Sequence, residues 1–160
     1  MKILLRVFTF FFLLTNFSNA DLIKPDITLK PLDVLVIQLN SLQNNDYPYR
    51  DAGIEQTWEF AHPNNKIMTG PLKKFKQMIY SKSYEILIRH EKSEITILNE
   101  TNNKSVYKVY ILSKDKKKYY YIWQIEKVLQ NGNLDNCWMT TSVSSSEYIG
   151  NIIWAMSSTI

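Results

Sequence analysis

The chain has 160 residues, 45% of them hydrophobic and 21% charged, which suits one domain with a core and excludes a disordered segment. Four glycines leave little room for glycine-rich phosphate loops, and a single cysteine excludes an internal disulfide. The formal net charge is +4, and it becomes +2 once Lys2 and Arg6 are set aside with the leader described next, so nothing supports nucleic-acid binding.

Met1 to Arg6 carries two cations, Val7 to Leu14 is apolar except for Thr9, and Ser18-Asn19-Ala20 offers small residues before a cut. This is the three-part pattern of a secretory signal peptide, with cleavage expected after Ala20. The apolar run is shorter than the roughly 20 residues that span a bilayer. The expected product is secreted or otherwise extracytoplasmic and lacks a stable membrane span. An uncleaved signal-anchor tethering the chain to a membrane is the alternative.

Residues 21–30 read as an extended leader. Pro31 suits the first position of a helix, and Leu32, Leu35, Leu39 and Leu42 form an apolar stripe that Val34, Val36 and Ile37 widen. Asn44-Asn45-Asp46 and Pro48 end that helix. Asp51 is placed to cap a second helix carrying Ile54 and Trp58, closed by Pro63, with His62 at its C-terminal end. Asn64 and Asn65 then read as a turn. Thr69 or Gly70 caps a third helix with Leu72, Phe75 and Ile79 on its buried side and Lys73, Lys74 and Lys76 towards water.

From Tyr84 the period changes to two. Strands are expected over Tyr84 to Arg89, Glu94 to Leu98, Ser105 to Leu112, Lys118 to Val128 and Cys137 to Val143. In the third of these Val106, Tyr110 and Leu112 are read alternating with Lys108. In the fourth Tyr119, Tyr121, Trp123 and Ile125 share a face. Asn102-Asn103 and Lys114-Asp115 read as turns, and Asn131-Gly132 as a hairpin signal. The plan is α+β: N-terminal helices packed on a curved antiparallel meander of about five strands, one domain over residues 31–146. Residues 147–160 form an apolar tail expected to pack on the domain or on a partner chain.

A set of residues then comes in order: Gln38-Leu39, Leu42, Asn45-Asp46, Pro48, Asp51-Ala52-Gly53-Ile54, Trp58, Phe60-Ala61, Pro63, Asn65, Thr69-Gly70-Pro71-Leu72, Phe75 and Cys137-Trp138-Met139-Thr140. Over residues 31–143 this resembles an uncharacterised domain-of-unknown-function family shared by bacteria, plants and algae. The resemblance implies the nuclear-transport-factor-2-like (cystatin-like) cone fold. It implies no activity and no catalytic residues. The wider superfamily holds isomerases, dehydratases, binding proteins and dimeric adaptors, so fold alone chooses none of them.

The candidate chemistry is sparse. His62 is a candidate general base, and Asp46 a candidate carboxylate beside Asp51, Glu55 and Glu59 near helix ends. The bland readings are a helix-end histidine tied to the following turn and solvent-facing or capping acids. Glu126 suits an exposed edge. His62, Asn64, Asn65 and Thr69 are the loop residues placed to touch a ligand at a cone mouth, with Tyr121 and Trp123 from the sheet. Two distant histidines and Cys137 make no metal set, and no cofactor is expected. Cys137 reads as a buried, inert thiol. Lys114 and Lys116 to Lys118 read as a solvated turn. Asn99 and Asn103 match the glycosylation acceptor pattern. The first reading is a non-catalytic domain binding a small apolar ligand or a protein partner. An isomerase- or dehydratase-like enzyme and a structural homodimer are the alternatives.

Overall fold

The computed structural model describes residues 21–151. The signal-peptide reading and residues 152–160 of the apolar tail lie outside them. Among the described residues the architecture is α+β, four helices followed by a five-stranded antiparallel sheet. Among the described residues no helix is long and apolar enough to cross a membrane.

Helix α1 (Pro31–Gln43) begins at a proline in its first turn, and the Lys30 N–H donates to Asp33 Oδ2 at 2.9 Å. It buries Val34, Leu35, Gln38, Leu39 and Leu42. Leu32, expected in the stripe, is instead 41% exposed, and Val36 also faces outward. The buried face is therefore rotated towards Val34, which fits the three-and-four spacing equally well. Asn44 closes the helix, its N–H donating to Asn40 O.

Helix α2 (Ala52–Glu59) packs across α1 at Gly53. The Gly53 N–H donates to Asn45 O at 2.9 Å, and the Ile54 N–H to Asn45 Oδ1 at 3.1 Å. Asp51 stands at the cap position, but in the left-handed region at φ 65°, and its side chain makes no capping bond. Its carboxylate accepts from Tyr80 and faces Lys76 instead. The expected turn at Asn64-Asn65 is a short helix, α3 (Pro63–Thr69), with Pro63 at its first position and none of its residues buried. Helix α4 (Leu72–Ile79) follows, capped by Pro71 rather than Thr69 or Gly70. It buries Phe75 and Ile79, and Lys76 pairs with Glu55 at 2.8 Å rather than pointing to water.

Tyr84 to Arg89 is not a strand. It forms a 3₁₀ turn (Glu85–Leu87) whose N–H groups bond locally, Leu87 to Tyr84 O and Ile88 to Glu85 O. The sheet starts later, with β1 (Lys92–Glu100), β2 (Lys104–Leu112), β3 (Lys117–Lys127), β4 (Trp138–Val143) and β5 (Glu147–Asn151). The order is β1-β2-β3-β4, with β5 also on β3. β4 pairs with the Trp123–Lys127 half of β3 and β5 with the Lys117–Tyr120 half, so the two lie end to end along one side of it. The apolar tail thus begins as sheet, and the antiparallel layer extends past residue 146.

The inward face of β2 is Ser105, Tyr107, Val109 and Ile111, not the Val106–Tyr110–Leu112 set, which is only half-buried. Opposite them on β3 stand Tyr121, Trp123 and Ile125 as expected, while Tyr119 is half-buried against Tyr148. The β3–β4 connection runs from Val128 to Cys137, longer than a two-residue Asn131-Gly132 hairpin. The Asn136 N–H donates to Val128 O and the Val128 N–H to Cys137 O. Cys137 is buried there with Val128 and Met139. Glu126 lies in a strand with neighbours on both sides, paired with Lys104 at 3.3 Å, so no open edge accounts for it.

Helices α1 and α2 approach closely at Gly53. A Cβ on Gly53 would stand 2.0 Å from the Ser41 carbonyl oxygen and 2.8 Å from the Asn45 Cα, both backbone atoms. Alanine in a free helix is favoured over glycine by about 1 kcal/mol, whereas overpacking costs about 1–3 kcal/mol. Gly53→Ala is expected to lower stability by about 1–3 kcal/mol despite the propensity gain. The urea midpoint measures this, and an unchanged or raised midpoint refutes it.

Candidate functional site

A cavity of about 290 Å³ lies between the helices and the inward face of the sheet. Its walls come from α1 (Gln38, Leu42), α2 and the following segment (Thr57, Ala61), α3, α4, the 3₁₀ turn, and strands β3 and β4. Met68 of α3 lines it and is 85% exposed, so the cavity opens at that helix.

The segment between α2 and α3 explains why α3 sits there. The Thr140 N–H donates to Phe60 O and the His62 N–H to Thr140 O, both at 2.8 Å, so this short stretch runs beside β4 as an added parallel bridge. Asn65 Nδ2 adds a bond to the same Thr140 carbonyl at 3.2 Å. These bonds pin the start of α3 to β4 while the rest of the helix packs little against the domain.

The inner wall holds one polar cluster. Trp123 Nε1 donates to Gln38 Oε1 at 3.2 Å and to Thr140 Oγ1 at 3.1 Å. The Thr140 hydroxyl donates to Gln38 Oε1 at 2.6 Å, and Gln38 Nε2 donates to Thr57 O at 3.1 Å. An indole nitrogen is only a donor and a carbonyl only an acceptor, so the two together fix the orientation of the Gln38 amide. Gln38, Trp123 and Thr140 are all buried. The network joins α1, α2, β3 and β4, and of its members Gln38, Thr57, Trp123 and Thr140 only Trp123 stands out from the sequence as a site residue. Gln38 had a visible signal: it is the polar residue within the run Leu35, Leu39, Leu42.

Of the residues expected at a site, Asn65, Thr69 and Trp123 line the cavity. Tyr121 does not. Its ring is buried beside Tyr84, its hydroxyl donates to Ser83 O at 3.1 Å, and burial pushes its phenol pKa well up. Asn64 is exposed on α3. His62 is 6% exposed but turned from the cavity lining, and it caps the N-terminus of α3 rather than ending α2. Its Nδ1 accepts from the Asn64 N–H at 3.1 Å, and burial lowers its pKa, partly offset by Glu126. An acceptor nitrogen at a helix start disfavours protonation, the reverse of the expected C-terminal placement. Asp46 lies outside the cavity, held below the ordinary carboxylate range by its bond to Arg89. Asn99 is exposed on β1, and Asn103 is exposed in the β1–β2 turn. Among the described residues no three of His, Cys, Asp and Glu are grouped to hold a metal ion.

The second histidine, His90, is 4% exposed. Its Nδ1 stands 2.8 Å from Leu87 O and so carries the proton, while its buried Nε2 has no hydrogen-bond partner. Burial lowers its pKa. The unfolded chain takes up a proton near pH 6.5 and the folded chain resists it, so this contribution to stability is present above that pH and is lost as the pH falls below it. His62 acts with the same sign. His90→Asn keeps a donor for Leu87 O without the titration. It is expected to shrink the drop in Tm between pH 7 and pH 5. An undiminished drop in the variant refutes the assignment.

No family model matches the chain, and neither does any curated protein or solved structure, so the site is read from its own geometry.

Proposed function

We propose that the chain is an exported, non-catalytic binding domain on the nuclear-transport-factor-2-like cone plan, holding a small, neutral, largely apolar molecule in the cavity between helices and sheet. The observation that supports this most is the chemistry of the lining. None of the lining side chains is a carboxylate, imidazole, amine or thiol. Tyr84 is the single titratable group among them, and its hydroxyl is engaged with Val143 O at 3.1 Å. General acid–base work needs a positioned proton carrier within hydrogen-bond reach of the substrate. His62 and Asp46 lie elsewhere, and the weight moves from isomerase or dehydratase to binding.

The size is consistent with one small molecule. An apolar cavity of about 150 Å³ accommodates benzene. About 290 Å³ therefore suits roughly two rings, or ten to fifteen non-hydrogen atoms. Leu42, Phe75, Ile79 and Leu87 supply apolar contact. A carboxylate or ammonium ligand would enter without a countercharge on the wall, which is strongly unfavourable. Export is supported by the leader pattern of residues 1–20.

Native mass spectrometry of the full chain expressed and purified from its own host tests both parts. The expected polypeptide begins at Asp21 and retains a neutral organic mass, which Met78→Trp, filling the cavity, releases. A chain beginning at Met1 overturns cleavage after Ala20, and recovery of that chain from the cytoplasmic fraction overturns the export reading. A mature chain that carries no added mass, and whose Tm no neutral two-ring compound raises, overturns the binding reading.

A further inference from the structure

The inner-wall cluster leaves two hydrogen-bonding positions unused. Gln38 Nε2 has two hydrogens, and the protein accepts one, at Thr57 O. Gln38 Oε1 is already taken by Trp123 and Thr140, so the amide cannot turn over to hide its second N–H. Thr140 Oγ1 gives its proton to Gln38 and receives one from Trp123, which leaves one lone pair. Both residues line the cavity and are more than nine-tenths buried, at 1% and 3% exposure. The wall therefore offers one donor and one acceptor side by side, in a lining that also carries Leu42, Phe75, Ile79 and Leu87.

We infer that the ligand carries a hydroxyl on its apolar frame, accepting from Gln38 Nε2 and donating to Thr140 Oγ1. This rests on the reading of the cavity as a binding site. A hydroxyl is the smallest neutral group that is both donor and acceptor, so it satisfies the pair without adding charge. A hydrocarbon of the same size would cover the second N–H without pairing it, which lowers affinity by about tenfold. A carboxylate would meet the Gln38 donor, but it has no proton for Thr140 and no cation to balance it.

The arrangement also explains why Gln38 stands in an otherwise apolar helix face. A leucine there would fill the same space, yet it would leave the Trp123 N–H with Thr140 alone and remove the donor facing the cavity. The residue that orders the core is thus the specificity-determining one as well.

Titration calorimetry of the full chain with 2-naphthol, naphthalene and 2-naphthoate tests the inference. The three probes share a frame of the right size and differ in the group presented to the wall. The expected result is 2-naphthol binding about tenfold tighter than naphthalene, with 2-naphthoate weakest. Gln38→Met and Thr140→Val are each expected to bring 2-naphthol and naphthalene to within about twofold, with the far-ultraviolet circular dichroism unchanged. Should naphthalene bind the natural chain as tightly as 2-naphthol, the hydroxyl inference fails and the apolar cavity reading stands. Should none of the three bind, both fail. A preference for 2-naphthol that survives in folded Gln38→Met and Thr140→Val also overturns the inference, because other groups would then be reading the hydroxyl.

Discussion

Trp123 is among the largest of the fully buried side chains, and its indole N–H has to be paired where water does not reach. The pairing chosen is with Gln38 on α1 and Thr140 on β4. That choice ties the first helix to the middle and the last long strands of the sheet through one amide. It also sets a distance between layers. A Gln–Trp–Thr cluster needs room for polar side chains that keep fixed directions, and tightly interlocked aliphatic residues cannot fill around it without stranding a donor. The cavity lies beside this cluster and takes its inner wall from it. Without the indole partner, the helix could settle onto the sheet with ordinary apolar packing.

A second constraint acts from outside. One group of charged side chains lies around the α1–α2 connection and the helix ends, where Asp51 and Glu55 share Lys76, and Asp46 meets Arg89. These groups are partly exposed, so each pair contributes little by itself. Their role is geometric: they link α2 to α4 and the loop after α1 to the segment before β1. The buried amide of Asn45 works with them, accepting from the Ile54 N–H and donating to Asp46. Charge thus sits on the outer side of the helical layer and neutral groups on the inner side.

Regular periodicity made much of this legible. Four leucines at helical spacing predicted α1, and Tyr121, Trp123 and Ile125 predicted the inward face of β3. The losses have local causes. Tyr84 to Arg89 is a short apolar run whose hydrogen bonds close over three residues, and six residues do not separate that from a strand by pattern alone. Residues 63–69 lack any buried side chain, so α3 has no periodic signal; only Pro63 at its first position marked it. In β2 the inward face includes Ser105, and the outward face includes Val106, Tyr110 and Leu112, so polarity misreported the parity. In the sequence β5 has the look of a tail because Tyr148 and Ile149, both exposed, resemble surface in search of cover, whereas its backbone completes the ladder of β3.

The site was legible in the same partial way, and the division is informative. Residues noticed for reactivity, His62 and Asp46, turn out to hold backbone and surface together. Residues that shape the cavity, Gln38 and Thr140, have side chains with no reactivity to notice. A polar residue in an apolar stripe is the signal that connects the two levels. It announces a buried partner, the partner is a donor-only indole, and the donor-only indole fixes which way the amide faces. Once that direction is fixed, the number of hydrogen bonds the wall still lacks follows by counting. The chemistry of a ligand can be argued from that remainder even where no relative supplies a precedent. The same counting supports the proposal that the cavity serves recognition rather than proton transfer. The inner-wall protons of Gln38, Trp123 and Thr140 sit on an amide, an indole and a hydroxyl, groups that present hydrogen bonds rather than exchange protons.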